Sequence, residues 1–318
     1  MAQEIVESGI NNSFKILDLN SVRDRIDLWQ EHLPNVQMHY AVKTNSDVKI
    51  VKAIYDKGQK FDCASSAEIQ KVIDLGASPE DIIYANPIKG KKHIEFAKNH
   101  GVKIMTFDSR EEVEKIHQIY PEAELILRIA VTNTDAPYPM GNKFGAPADL
   151  WNDILDTCQN LNMKVRGVSF HVGSGGCSFE AYKSCLIDTE KVFKMIRQRN
   201  MPELDIVDIG GGFSMSATNP VNNFTQVAPK VANYLDNVFP GKNNKQVSVL
   251  GEPGRQISQD TTSMITQIFH VKEQGENRHY YVNNGVYHGF GSQVYDREFF
   301  LGQPLLLEAE LKKRIAQE

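Results

Sequence analysis

Short β-prone runs alternate with helical patterns along the chain from about residue 37 to residue 252. Alternation of this kind is typical of βα units arranged around a parallel sheet. Eight runs are predicted as strands: 37–42, 60–64, 81–85, 102–107, 124–130, 165–171, 204–209 and 246–251. Helical patterns fall between them, among them 46–57, 66–75, 109–118, 147–161, 178–198 and 224–238. This arrangement favours an α/β fold with a (β/α)₈ TIM-type barrel, and an open doubly wound sheet is the alternative.

The pattern changes after Glu252. The runs TTSMITQIFHVKE and RHYYVNNGVYHG predict strands with no helix between them, which indicates a separate β part. We therefore expect three segments: residues 1–18 as the amino-terminal part of a β domain, residues 19–260 as the barrel, and residues 261–318 as the carboxyl-terminal part of the β domain.

Two other segments have their own patterns. Residues 131–146 are rich in proline and glycine and predict a long loop after the fifth strand, at the end where barrel enzymes place mobile covers. The stretch from Pro304 to Glu318 has an amphipathic period and a proline at a helix-starting position, so it is predicted either as a terminal helix or as a solvated tail.

Composition and charge exclude several classes of protein. Hydrophobic residues at 41% and charged residues at 24% are ordinary globular values. The net charge of −5 and the absence of a long basic tract argue against nucleic acid as a partner. The amino-terminal sequence has no apolar run, so we expect a cytoplasmic protein without a membrane partner. The cysteines have no metal-binding or disulfide spacing and are expected to be free thiols: Cys63, Cys158, Cys177 and Cys185.

Nearly every predicted strand ends on a polar residue. In a TIM barrel the site lies at the carboxyl ends of the strands, so such residues are candidates for function. A single charge at a strand end is more often a solvated cap, but here many would converge on one rim. They are Lys43, Asp62, Asn86, Asp108, Arg128, His171, the triple glycine Gly210, Gly211 and Gly212 after Asp208, and Glu252.

The residue types on this rim favour a phosphorylated aldehyde cofactor over a metal, because no metal triad is found among them. A lysine amine can form a Schiff base. Backbone N–H groups in a glycine-rich turn can approach a phosphate closely. A carboxylate can keep a pyridine nitrogen protonated, and a histidine can stack on the ring, so the set indicates pyridoxal 5′-phosphate (PLP) used as an electron sink.

Motifs along almost the whole chain closely resemble eukaryotic ornithine decarboxylase, a PLP-dependent decarboxylase. They include YAVKTN (40–45), FDCASSAEIQ (61–70), YANPIK (84–89), GVSFHVGSG (167–175), DIGGGF (208–213), EPGR (252–255), YVNNGVY (281–287) and YD (295–296). The resemblance implies decarboxylation of L-ornithine to putrescine, with lysine or another diamino acid as alternative substrates.

The resemblance also implies roles for individual residues. Lys43 would carry the cofactor, and His171 would stack on its ring. Glu252 would pair with the pyridine nitrogen. The phosphate would be bound by Ser174, Gly210, Gly211, Gly212, Gly254 and Arg255. The residues Asp62, Glu68 and Arg128 would support the cofactor and its lysine, and Tyr295 and Asp296 would bind the distal ammonium of the substrate.

The resemblance further implies a homodimer and an antizyme-like regulator. The segment 87–109 matches the region that meets antizyme, and Lys89, Lys91 and Lys92 would make it basic, although an ordinary solvated helix explains it as well. A carboxyl-terminal segment with a Trp-Gly-Pro-Thr-Cys-Asp-Gly stretch is expected from the family but is not found here, so we expect a shortened β domain. A non-catalytic protein resembling antizyme inhibitor is the alternative function.

Overall fold

In a computed structural model the chain forms two compact units, Leu19–Gln259 and the combination of Met1–Asp18 with Asp260–Glu318. The structure describes residues 1–10, 12–141, 143–215, 219–239, 247–295 and 300–305.

The strands, in chain order, are β1 (Phe14–Leu17), β2 (Val36–Ala41), β3 (Lys60–Cys63), β4 (Ile82–Tyr84), β5 (Ile104–Phe107), β6 (Glu124–Arg128), β7 (Lys164–Ser169), β8 (Ile206–Asp208), β9 (Ser248–Gly251), β10 (Thr262–Ile265), β11 (Ile268–Gln274) and β12 (Asn277–Val282). The α-helices are α1 (Ala2–Glu7), α2 (Leu19–His32), α3 (Val48–Asp56), α4 (Ser66–Asp74), α5 (Lys91–Asn99), α6 (Arg110–Ile119), α7 (Trp151–Asn160), α8 (Phe179–Gln198), α9 (Phe224–Val238), α10 (Arg255–Ser258) and α11 (Ser292–Tyr295).

Strands β2 to β9 form a closed parallel barrel. Each strand pairs with the next one in the chain, and the last strand pairs with the first, with Val36 opposite Val249 and Met38 opposite Gly251. The predicted barrel is therefore confirmed and the doubly wound alternative is wrong, because an open sheet would leave β2 and β9 apart. In such a barrel all carboxyl ends of the strands meet at one rim.

Apolar side chains fill the barrel and the layer between the strands and the helices. A buried cluster of Ile83, Ala85, Ile126, Ile206 and Leu250 comes from four barrel strands, β4, β6, β8 and β9, or from the residue directly after β4. Burying each large aliphatic side chain contributes about 1.5–3 kcal/mol to folding. This packing holds the rim residues at fixed positions relative to one another.

Several helices begin with a side-chain cap directly after a strand. Ser65 accepts a hydrogen bond from the backbone N–H of Glu68 at 3.3 Å, and Ser109 accepts one from Glu112 at 3.4 Å. Because these two caps satisfy N–H groups that the helix cannot, they fix the residue at which the chain turns from strand to helix. Asn223, which follows a 3₁₀ turn at Pro220–Asn222, accepts from the N–H of Thr225 in the same way and fixes the start of α9.

The second unit contains two antiparallel pairs. Strand β1 pairs with β10, so that Phe14 lies opposite Ile265, and β11 forms a hairpin with β12. The predicted strands after Glu252 are thus present, whereas residues 306–318, which include most of the predicted terminal helix or tail, lie outside the described residues. Within the described part of the chain, no helix has the length and apolar character needed to cross a membrane.

Lys89 is buried, which contradicts the expectation that it adds to a basic surface. Its Nζ lies 3.0 Å from Glu112 and donates to the backbone carbonyl oxygens of Asn86 and Thr106. Burial lowers the pKa of Lys89 to about 8. The residue therefore ties the end of β4 to α6, and only Lys91 and Lys92 of the three lysines are exposed.

Candidate active site

Lys43 lies in a short 3₁₀ turn, Val42–Thr44, directly after β2. Its Nζ donates a hydrogen bond of 2.8 Å to Oδ2 of Asp62, which is completely buried in β3, while the lysine side chain keeps 46% of its exposure. Burial among the rim residues lowers the pKa of Lys43, but the carboxylates of Asp62 and Glu252 outweigh this effect and raise it above the ordinary value. The amine is thus reachable from solvent and held by a fixed carboxylate.

Three buried acids form a cluster, two of which act directly on Lys43. They are Asp62, Asp208 at the end of β8 and Glu252 directly after β9. One oxygen of each, Oδ1 of Asp62, Oδ2 of Asp208 and Oε1 of Glu252, accepts from no donor group among the described residues. The carboxyls of Asp208 and Glu252 lie within hydrogen-bonding reach of each other, so the two can share a proton. Burial raises the pKa of Asp208 to about 7, and burial together with the charge of Asp208 raises the pKa of Glu252 well above its usual range. The cluster therefore holds protons near neutral pH.

These raised pKa values predict how stability depends on pH. Asp208 has an ordinary pKa of 3.8, so the folded state binds more protons than the unfolded state, and stability falls as pH rises through about 7. Burial lowers the pKa of His171 from 6.5 to about 3, so this group changes little above pH 6.5. Lys89, whose pKa is about 8 in the folded chain, begins to lose its proton at the upper end of this range and opposes the fall there. For the cofactor-free chain we therefore expect the free energy of unfolding to fall by on the order of 1 kcal/mol between about pH 6.5 and pH 7.5.

Chemical denaturation at a series of pH values measures this dependence. The variant Asp208→Asn is expected to flatten the profile, whereas Asp149→Asn, which changes an exposed acid of the same unit, is expected to leave it unchanged. If the free energy of unfolding of the wild-type chain rose with pH over this interval, the interpretation that the acid cluster holds protons would be wrong.

His171 follows β7 and carries a neutral imidazole. Its Nδ1 accepts the backbone N–H of Gly173 at 3.1 Å, so the ring proton is on Nε2. Burial, and then the charges of Arg128 and Lys43, lower the pKa of His171 to about 3. A Cβ atom on Gly211 would lie 3.0 Å from Nε2, so the ring packs closely against the glycine turn.

Ser174 and Arg255 meet beside the glycine turn. Nε of Arg255 donates to Oγ of Ser174 at 3.1 Å. The backbone N–H groups of Gly175, Gly211 and Gly212 donate to no group within the described part of the chain. A guanidinium, a hydroxyl and several N–H donors at one place form an anion-binding arrangement.

The other predicted residues have more varied surroundings. Arg128 lies at the end of β6 with its guanidinium 5.1 Å from the ring centre of Phe144. Glu68 accepts the N–H of Ala64 at 2.8 Å, and burial raises its pKa. A Cβ on Gly254 would lie 2.0 Å from Oγ1 of Thr44, so glycine is needed where α10 approaches the turn that bears Lys43.

Two strand-end residues of the sequence analysis make local contacts, and two substrate residues lie in the other unit. Asn86 donates to the carbonyl of Ala64, and Asp108 accepts the N–H of Gly145. Tyr295 is the last residue of α11, and Asp296 lies outside the described residues.

Two residues of the site, Asp208 and Tyr138, are not among the site residues predicted from the sequence. Asp208 directly precedes the triple glycine at a strand end, which is a usable signal. Tyr138 lies in the loop 131–146, where its ring contacts Arg255 at 5.8 Å, and no pattern in the sequence points to it.

Comparison with known families identifies the chain. Residues 19–259 match the family described as "Pyridoxal-dependent decarboxylase, pyridoxal binding domain". The chain belongs to this family. The matched residues contain Lys43, the acid cluster and the anion-binding arrangement, and they cover the unit Leu19–Gln259.

Named relatives and solved structures agree with this membership. The chain is 36% identical to ornithine decarboxylase of Caenorhabditis elegans over 93% of this chain and 72% of that protein. It is 35% identical to antizyme inhibitor 2 of Xenopus laevis over 93% of this chain and 68% of that protein. The arginine decarboxylase of Paramecium bursaria Chlorella virus, also solved bound to agmatine, is 34% identical with a TM-score of 0.87 over 93% of this chain and 79% of that one.

The residues present fit PLP, the cofactor of this family of decarboxylases. The unpartnered oxygen of Glu252 can meet a ring nitrogen, the N–H groups of the glycine turn with Ser174 and Arg255 can meet a phosphate, and Lys43 can meet an aldehyde. Within the described residues, no group of histidine, cysteine, aspartate or glutamate is arranged to hold a metal ion.

Proposed function

We propose that this protein decarboxylates L-ornithine to putrescine and CO₂ with PLP as cofactor. The observation that carries the proposal is the hydrogen bond between Lys43 and buried Asp62 at the rim, with the carboxyl of Glu252, whose Oε1 accepts from no described donor, near the lysine. A lysine placed between acids in this way suits a covalently held aldehyde cofactor. Relatives named ornithine decarboxylase, one of them 36% identical over 93% of this chain, support the substrate.

In this proposal the chain binds the cofactor at its two ends. Ser174, Arg255 and the turn Gly210–Gly212 hold the phosphate, with Gly254 allowing the helix start to come close. Lys43 holds the aldehyde end. PLP bound there supplies a conjugated ring that accepts the electrons left when CO₂ departs.

Asp62 orients Lys43 and balances its charge. Because nearby carboxylates raise the lysine pKa, Nζ carries a proton at neutral pH and must lose it before the amine can attack an aldehyde. The hydrogen bond to Oδ2 holds Nζ in one place while this happens. A fixed position of this kind lowers the entropic part of the barrier.

Glu252 and His171 act on the ring. Burial raises the pKa of Glu252 and so favours its protonated form, and Oε1, which accepts from no described donor, would share a proton with the pyridine nitrogen of bound PLP. His171 stays neutral, so it packs against the ring as a flat and uncharged surface without repelling the protonated nitrogen. Arg128 supports the acids from the end of β6.

Tyr295 and Asp296 are proposed to receive the distal ammonium of the substrate. An aspartate at this place favours a cationic side chain over a neutral one, because a neutral side chain would leave the carboxylate unpaired.

Turnover of three amino acids tests the proposal. Purified chain with added PLP is incubated in parallel with L-ornithine, L-lysine and L-arginine, and CO₂ release and amine product are measured. We expect the largest kcat/KM with L-ornithine. A higher kcat/KM with L-lysine or L-arginine would contradict the proposed substrate but leave the decarboxylase class intact.

A non-catalytic regulator that resembles antizyme inhibitor is the second candidate. The identity of 35% to antizyme inhibitor 2 of Xenopus laevis supports it. PLP binding without turnover of any of the three amino acids would favour this function, and α5 with exposed Lys91 and Lys92 is the proposed contact with an antizyme-like regulator.

The proposal includes a homodimer and a cytoplasmic location. The buried free cysteines Cys63, Cys158, Cys177 and Cys185 suit a reducing compartment. Sedimentation measures the oligomeric state, and cell fractionation measures the location. A monomer that turns over ornithine would contradict a need for the dimer.

A further inference from the structure

The first half of the loop 131–146 is attached to the segment that follows β7. Oγ1 of Thr134 donates to the carbonyl of Val172 at 2.5 Å. Asp135 accepts the backbone N–H of Ser178 at 2.9 Å and the side-chain amide of Asn222 at 3.1 Å. These contacts hold the loop at the start of α8, next to the anion-binding arrangement.

Tyr138 joins this loop to Ser174 through the backbone. The N–H of Tyr138 donates to the carbonyl of Ser174 at 3.2 Å, and the N–H of Ser174 donates to the carbonyl of Tyr138 at 3.1 Å. The two residues thus form a short antiparallel bridge that fixes the backbone of Ser174 from both sides.

Glycines on both sides of Ser174 make this close approach possible. Gly173 has a φ of +119°, and a Cβ there would lie 2.3 Å from Cβ of Ala136. Gly175 has a φ of +101°, and a Cβ there would lie 3.0 Å from the ring of Pro137. A residue with a side chain at either glycine would therefore collide with the loop that packs against this turn.

The side chain of Tyr138 contacts the second anion-binding residue. The guanidinium carbon of Arg255 lies 5.8 Å from the centre of the half-buried Tyr138 ring, within the range of a cation–π interaction. Nε of the same guanidinium donates to Oγ of Ser174. One tyrosine thus contacts both residues, Ser174 through its backbone and Arg255 through its ring.

We propose that Tyr138 is a positioning residue that holds Ser174 and Arg255 in the geometry that binds the phosphate of PLP. This inference rests on the proposed function, because it needs PLP in this site. Tyr138 acts through the guanidinium: its ring packs against the same group that donates to Ser174, and this added contact further restricts the rotamers of a long side chain.

Binding of PLP and of pyridoxal, which lacks the phosphate, tests the inference. Both ligands are titrated into the cofactor-free chain, and binding is followed by visible absorbance. Tyr138→Leu is expected to weaken PLP binding by about 3- to 30-fold, the range of a partly buried cation–π contact, and to leave pyridoxal binding unchanged. Tyr138→Phe keeps the ring and is expected to bind PLP like the wild type. Tyr234→Leu, which removes a half-buried tyrosine from α9, is the matched control.

A double-mutant cycle shows whether Tyr138 acts through Arg255. In an Arg255→Ala background, Tyr138→Leu is expected to have less than half of its effect on PLP binding, measured as the logarithm of the fold-change. Full additivity overturns the inference, as does equal weakening of PLP and pyridoxal, because a general structural defect would affect both ligands. Wild-type chain that binds no PLP overturns the proposed function as well, whereas wild-type binding that Tyr138→Leu leaves unchanged overturns this inference alone.

Discussion

The variant Lys43→Ala is expected to lower kcat/KM for amino-acid decarboxylation by about 10²- to 10⁴-fold, the range found when a positioned proton-transfer group is removed. It is also expected to abolish the visible absorbance band of lysine-bound PLP. The reason lies in the geometry: Nζ of Lys43 is the amine that Asp62 holds at 2.8 Å. Steady-state kinetics and an absorbance spectrum of the same preparation measure both effects.

Lys49→Ala is the matched control, because Lys49 is an exposed lysine of α3 close to Lys43 in the chain. It is expected to keep both the turnover and the absorbance band. If Lys43→Ala retained the band, the cofactor would be held by another lysine, and the assignment of the rim as the site would be wrong. Added free methylamine is expected to restore part of the lost turnover, because it can replace the missing amine.

The barrel could be predicted from the sequence because its pattern repeats. Each unit has a short apolar run and an amphipathic stretch, and the closed sheet follows once these units are counted. The rim residues could be predicted for the same reason, since Lys43, Asp62 and Glu252 each stand in or directly after a strand. The ends of strands are determined by the local sequence, and in a barrel all carboxyl ends meet at one rim, so the sequence is sufficient to place these residues near one another.

Contacts between distant segments could not be predicted. In the sequence Lys89 looks like one member of a basic segment, yet it is buried and pairs with Glu112 of α6 at 3.0 Å. Tyr138 looks like an ordinary loop residue, and its place against Arg255 depends on how the loop packs on the segment that follows β7. Pairs of this kind are determined by tertiary packing, for which a single sequence carries no periodic signal.

The variant Glu252→Gln is expected to lower kcat by about 10²- to 10³-fold, the effect of removing one preorganised electrostatic contact, and to leave the stability of the cofactor-free chain nearly unchanged. Without cofactor, burial and the charge of Asp208 raise the pKa of Glu252 well above its usual range, which favours the neutral carboxyl. Glutamine has nearly the same shape and is also neutral. With PLP bound, glutamine cannot balance a protonated ring nitrogen. Chemical denaturation without cofactor and kcat with cofactor measure the two effects.

Glu112→Gln is the matched control, since it changes another buried glutamate of the same barrel. Glu112 pairs with fully buried Lys89, and removing one partner of such a pair costs about 3–5 kcal/mol. This control is therefore expected to lose stability without a specific loss of kcat in the fraction that remains folded. A large loss of stability in Glu252→Gln would instead mean that Glu252 is ionised in the cofactor-free chain. Because both glutamates are buried but have different partners, opposite outcomes for the two variants separate an acid that maintains the fold from one that acts on the cofactor.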